Sequence, residues 1–193
     1  SILILLIFPS NLVFPYTYVN IISPITGNLN DFSAPVIDYK SIFQMADKFS
    51  SFLLKKRIGK GDKIGIMMEN CPEWMIIDLA CLKIGAVVVP VYTKLSDESR
   101  EYIIKDAGIK MLFSDKKISA GAETVVIHPD KETDEALKAF LNFRINWKET
   151  EIREDDEATI CYTSGSSGKP KGVILTHGNI IYNFSSLPFK FYE

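Results

Sequence analysis

The sequence predicts an α/β fold, a largely parallel sheet flanked by helices, and three observations predict it. Short apolar runs alternate with segments of helical periodicity. Helix start and stop signals fall in the gaps between them. Hydrophobic residues make up 47% and charged residues 24% of the 193-residue chain, the balance of a globular core rather than of a disordered segment, a collagen-like repeat or a coiled-coil rod. Strands separated by helices require crossover connections, and crossovers make parallel neighbours with helices on both faces.

The elements follow in order. Ile42, Met45, Ala46, Phe49 and Leu53 recur at helical spacing, and Lys55, Lys56 and Arg57 put positive charge where a helix C-terminus favours it. Gly59 to Asp62 is a turn, and Lys63 to Met68 a buried strand. Asn70 to Glu73 carries an Asx cap, a proline in the first turn and a capping-box glutamate, so a helix starts there and stops at Gly85. Ala86 to Val91 is a strand, with Pro90 at its end or on an edge. Ser96 opens a helix that Gly108 closes; Lys110 to Ser114 and Thr124 to His128 are further strands, and a weaker helix spans Glu132 to Asn142. Between Lys131 and Glu157 nine acidic residues outnumber five basic ones, which makes a solvated linker and helix face.

Charge and cysteine usage exclude other classes. A formal net charge of -2 and a pI near 5.8 leave no dense basic surface, so no nucleic-acid partner is expected. Cys71, Cys81 and Cys161 are far apart, with only His128 and His177 to accompany them, so neither zinc spacing nor a disulfide framework can be drawn. A reducing cytoplasm is the expected location. Residues 1–30 carry no charge, and Ile2 to Phe8 is an uninterrupted apolar run closed by Pro9. That run falls short of the roughly 20 residues of a bilayer span and lacks the positive flank of a secretory signal. Residues 1–30 are the one candidate for membrane contact.

The segment from Tyr162 to His177 carries the chemistry. It joins an apolar strand, Ala158 to Tyr162, to a second, Val173 to Leu175. Between them Thr163, Ser164, Ser166 and Ser167 are interleaved with Gly165 and Gly168, and Lys169 and Lys171 follow. Glycines let backbone N–H groups turn toward an oxyanion, hydroxyls add donors, and lysines add positive charge. Such a set suits a polyphosphate. It is neither a Walker A loop, since Pro170 follows Gly168-Lys169, nor a G-x-S-x-G nucleophile elbow. The alternative for this composition is a flexible hairpin connection. Thr176 is expected to cap the helix that begins at His177, and Trp74 to be a core or interface residue.

The run from Tyr162 to Val173, with Leu175-Thr-His-Gly-Asn179 after it, resembles the signature loop of the adenylate-forming superfamily. Ser166 and Ser167 stand where the usual form has two threonines. Upstream, Gly61 to Trp74, Gly85 to Tyr92, Leu95-Ser96 and Tyr102 to Gly108 resemble the first α/β unit of that superfamily. The wording of Glu69 to Trp74 and Pro90 to Tyr92 is most similar to long-chain fatty acyl-CoA synthetases. The resemblance implies a two-step ligase: fatty acid and ATP give acyl-adenylate and pyrophosphate, and CoA then takes the acyl group. It implies ATP, Mg2+ and CoA for the whole enzyme, nucleotide and fatty acid as its ligands, and a phosphate-holding role for Thr163, Ser164, Gly165, Ser166, Ser167, Gly168, Lys169 and Lys171. Neither a catalytic nor a metal-binding residue is assigned within the chain. Residues 1–33 are expected to be a separate apolar segment. Residues 34–193 are expected to be an incomplete part of the large N-terminal domain, ending just after the loop. A piece of this size is expected to be inactive alone and to bind none of these cofactors tightly. A truncated non-catalytic remnant and a nucleotide-binding module that keeps only the phosphate loop stand as alternatives.

Overall fold

The computed structural model describes residues 39–69, 71–118, 121–127, 144–145, 150–163 and 169–185. The apolar segment 1–33, the expected helix 132–142 and His128 lie outside the described residues. Helix α1 spans Tyr39–Lys55, strand β1 Lys63–Met67, helix α2 Pro72–Lys83 and strand β2 Val87–Pro90. Helix α3 (Asp97–Ala107) and strands β3 (Ile109–Ser114) and β4 (Glu123–Val126) follow. Strands β5 (Glu157–Thr163) and β6 (Lys171–Thr176) and helix α4 (His177–Ser185) complete the order. Six strands form one sheet in the order β4-β3-β1-β2-β5-β6. All neighbours are parallel except β5 and β6, which pair antiparallel.

Each central strand feeds two cores because its side chains alternate between the faces. Ile64, Ile66, Val88, Met111 and Phe113 face α1 and α2, with Phe49 packed edge-on to Phe113 at 5.2 Å. Met67, Val87, Val89 and Leu112 face α3 and its Ile103 and Ile104. Helix α2 is sandwiched, buried from Met75 to Leu82. The Ser50 hydroxyl on α1 donates to the Ala80 carbonyl at 3.1 Å and so ties the two helices together.

The stop signals act as expected. Gly108 caps α3 at φ 65°, Gly85 follows α2 at φ 71°, and Ser96 accepts the Ser99 N–H at 3.3 Å as the N-cap of α3. Pro90 ends an interior strand, where Val91 resumes the bonding to the Ile66 carbonyl at 2.9 Å. One cap differs. The N-cap of α2 is Cys71 rather than Asn70, and it makes no side-chain cap bond. Pro72 is the reason: its fixed φ suits the first helical position, which leaves the residue before it as the cap.

Helix α1 ends without a glycine. Ile58 N–H bonds to Leu53 O at 3.0 Å and Arg57 N–H to Leu54 O at 2.9 Å, a Schellman closure with Arg57 in the left-handed position at φ 62°. A side chain there costs on the order of 1 kcal/mol that glycine avoids. Arg57→Gly is therefore expected to stabilise the chain by roughly 0.5–1 kcal/mol, read from the urea midpoint at unchanged slope; a lower midpoint would contradict it.

Asp78 is buried in α2, and burial pushes its carboxyl up to about 7. A raised carboxyl stabilises the fold fully below the unfolded value of 3.8 and loses that contribution as pH rises through about 7. Asp78→Asn is expected to exceed the parent in stability at pH 8 by about 2–4 kcal/mol, with the gap closing toward pH 4. Denaturant midpoints across that range check it, and parallel pH curves would contradict it.

Candidate functional site

The segment with the polyphosphate pattern is the connection of a hairpin. Tyr162 pairs with Gly172 and Thr163 with Lys171 across β5 and β6. Ser164, Gly165, Ser166, Ser167 and Gly168 lie outside the described residues; Thr163, Lys169 and Lys171 are described and exposed. Because β1 to β5 run parallel, this connection leaves the edge of the sheet where all their C-termini emerge. In open α/β sheets that edge carries the ligand crevice.

Strand alternation sorts the site residues onto two faces. Ile160 and Tyr162 pack in the core beneath α3. Thr163 is one residue out of phase with them, and its cross-strand partner Lys171 shares its side. Thr163 and Lys171 are therefore brought together on the side that carries α1 and α2. Lys169 goes the other way: its ammonium lies 5.7 Å from the centroid of the Tyr102 ring on α3.

Helix α3 also holds the strand on which the connection stands. The Tyr162 hydroxyl donates to Asp106 Oδ2 at 2.6 Å. Burial, and then Asp106, push the Tyr162 phenol well above its ordinary range, so it remains a donor. The same two causes raise Tyr102, one helical turn before Asp106. Gly172 makes room: a Cβ there would lie 2.9 Å from Ile160 Cγ2 and 3.1 Å from Tyr162 Cζ. The sequence marks Tyr102 and Asp106 only as a tyrosine and an aspartate four apart. Their role comes from contacts between segments distant in the chain.

The far end of the hairpin is structural. Thr176 Oγ1 accepts the Asn179 N–H at 3.2 Å while Asn179 Oδ1 accepts the Thr176 N–H at 3.0 Å, a reciprocal cap that starts α4 as expected. His177 is buried there, its backbone N–H donating to Asp156 O at 3.0 Å. Burial chiefly lowers its pKa, Asp156 raises it and Lys60 lowers it, and the net direction is down. Thr176 pairs with Glu157 at the end of the hairpin opposite Thr163, about 20 Å away at strand rise. His177 cannot reach an anion held at the connection.

The C-terminal edge carries further polar groups that sequence reasoning did not single out. Thr93 Oγ1 donates to Glu69 Oε1 at 2.6 Å, Glu69 N–H to Asp115 Oδ2 at 3.4 Å, and Lys116 Nζ to Thr93 O at 3.4 Å. These contacts tie together the ends of β1, β2 and β3, where the connections leave in opposite directions. Burial pushes the Cys71 thiol, just before α2, up to about 12. Trp74 is partly buried against the core of α1 and α2. Among the described residues no group of three or more His, Cys, Asp or Glu could hold a metal ion, and no helix is long and apolar enough to cross a membrane.

Comparison with known proteins matches residues 32–192 to the AMP-binding enzyme family. Long-chain-fatty-acid–CoA ligase 1 of Cavia porcellus is 30% identical over 179 residues, covering 78% of this chain and 26% of that protein. A plipastatin synthase of Bacillus subtilis is 28% identical over 159 residues, 80% of this chain and 6% of that protein. Among solved structures, O-succinylbenzoate coenzyme A synthetase of Bacillus subtilis in complex with AMP superposes with a TM-score of 0.64 at 26% identity, covering 78% of this chain and 38% of that one. This chain thus spans about a quarter of the length of the ligase and far less of the synthase. It belongs to the AMP-binding enzyme family, and its sheet matches part of the N-terminal domain of adenylate-forming enzymes.

Gly172→Val would drive a branched side chain against Ile160 and Tyr162, at an expected cost of about 1–3 kcal/mol. It would also displace the Tyr162 hydroxyl from Asp106. Tyr162→Phe removes the hydrogen bond alone and should cost less, about 0.5–1.5 kcal/mol. Denaturant unfolding of both variants checks the order, and a harmless Gly172→Val would contradict the close approach.

Proposed function

We propose that this chain contributes the phosphate-binding part of an AMP-forming acyl-CoA synthetase that acts on long-chain fatty acids. In this reading residues 34–193 are part of the nucleotide-binding domain and residues 1–33 stand outside it. A fatty-acid carboxylate oxygen attacks the α-phosphorus of ATP, the bond to the β-phosphate breaks, and pyrophosphate leaves. CoA then displaces AMP to form the thioester. The long-chain ligases among the relatives support the substrate, and family membership supports the nucleotide.

One observation carries the site assignment: two exposed lysines and an exposed threonine stand at the two stems of one hairpin connection. Lys169 and Lys171 supply positive charge, Thr163, Ser164, Ser166 and Ser167 supply hydroxyl donors, and Gly165 and Gly168 let the backbone approach. These groups fit the β- and γ-phosphates and the charge that grows on the leaving pyrophosphate. Catalysis of this kind is positioning and charge neutralisation. Mg2+, held by the triphosphate itself, would share that neutralisation.

In the whole protein, Lys171→Ala is expected to remove one charged contact from the departing pyrophosphate, about 1.5–3 kcal/mol or roughly 10- to 150-fold in the adenylation rate. Gly168→Val should slow the same step by blocking backbone approach. Pyrophosphate exchange measures adenylation, and reaction of pre-made acyl-AMP with CoA measures the second step. Loss confined to the first step is the expected result. Loss confined to thioester formation would overturn the phosphate role.

A further inference from the structure

The two lysines that flank the candidate phosphate loop are held apart. Lys171 leaves β6 on the side of α1 and α2, in register with Thr163. Lys169, two residues earlier, lies over the ring of Tyr102 on the opposite side, within the distance at which a cation is drawn to an aromatic face. Tyr102 is partly buried and packs against the core beneath α3, and that contact holds its ring on the side of the sheet that Lys169 reaches. The Tyr162–Asp106 hydrogen bond, 2.6 Å long, ties the preceding strand to the same helix one turn further on. In this position the Lys169 ammonium lies away from the side of the hairpin that carries Thr163 and Lys171.

We propose that Tyr102 is a positioning residue for Lys169: its ring holds the ammonium when no anion is bound, and a bound polyphosphate competes for that ammonium and draws it off the ring. This rests on the phosphate role given to the loop, and adds to it a residue outside the loop that sets the anion affinity. The Tyr162–Asp106 bond keeps α3 and the hairpin in register, so the ring stays within reach of the lysine.

The contact has its own spectroscopic signature. The ring current of Tyr102 should shift the ε-methylene resonance of Lys169 upfield in the full chain labelled with 13C-lysine, the signal being assigned by its loss in Lys169→Met. Tyr102→Leu should abolish the shift and Tyr102→Phe should keep it, since phenylalanine retains the π face. Titration with inorganic pyrophosphate should move the resonance back toward the ordinary lysine position. Tyr102→Leu should bind pyrophosphate about two- to five-fold more tightly, the usual strength of an exposed cation–π contact, while Tyr102→Phe binds as the parent does. An ordinary Lys169 resonance in the parent overturns the proposal. So does pyrophosphate binding that leaves the upfield shift in place and is unchanged in Tyr102→Leu. Absence of any pyrophosphate binding, with the upfield shift intact, would instead sink the phosphate role of the loop and the competition with it.

Discussion

The structure depends on one constraint: its central strands must be covered on both faces. Ile64 and Met67 in β1, Val87, Val88 and Val89 in β2, and Leu112 and Phe113 in β3 are all fully buried, and neighbours in each strand face opposite cores. Fully burying each such side chain is worth about 1.5–3 kcal/mol, so neither core can be given up. Covering both faces needs helices on both sides, and that in turn needs crossovers that bring β1 to β5 back in the same direction. The C-termini of β1 to β5 therefore emerge together. That the candidate loop stands at that edge is a consequence of how the apolar residues are distributed.

The opposite edge is closed by charge. Lys60 pairs with Asp156 at 2.5 Å, Lys63 with Glu157 at 3.0 Å, and Lys110 with Asp62. These groups are partly exposed and each pair adds little to stability. Their effect is on register: the end of the acidic stretch meets Lys60 in the turn before β1 and Lys63 at the start of β1, and β5 then enters beside β2. Thr159 Oγ1 donates to Val88 O at 2.8 Å and fixes that entry. The excess of acid between Lys131 and Glu157, read from the sequence as a solvated face, thus ends in two residues that dock a strand.

What was legible in the sequence was what depends on neighbours in the chain. Alternating strands and helices, the left-handed stops at Gly85 and Gly108, the cap at Ser96 and the cap at Thr176 all follow from local chemistry and appear as expected. Asn70 misled because Pro72, two residues on, takes the first helical position and leaves Cys71 between them as the cap. Arg57 was invisible because a left-handed arginine has no sequence signal; the burial of Ile58 and Leu53 holds it there. The site divides in the same way. The loop and its lysines were visible as a pattern, whereas Tyr102 and Asp106 act through contacts that only the folded chain makes.

The loop is carried by the least supported part of the sheet. Strand β6 stands at its edge with Val173 and Ile174 both about half exposed, although they point to opposite faces. Ile181 and Tyr182 on α4 are exposed as well, so the hairpin gains little from burial on its outer strand. Gly172 adds no side chain of its own to either face, and its contribution is to admit the Tyr162 ring. Local stability follows local burial, so anchorage of this hairpin falls mainly to β5: its pairing with β2, Ile160 and Tyr162 beneath α3, and the Tyr162–Asp106 bond. A substitution on α3 that weakens those contacts acts on the stems of the hairpin, Tyr162 and Lys169, from outside it. That coupling runs through one stretch of helix, because Tyr102, Ile103 and Asp106 reach the lysine, the core and the strand from a single turn and a half of α3.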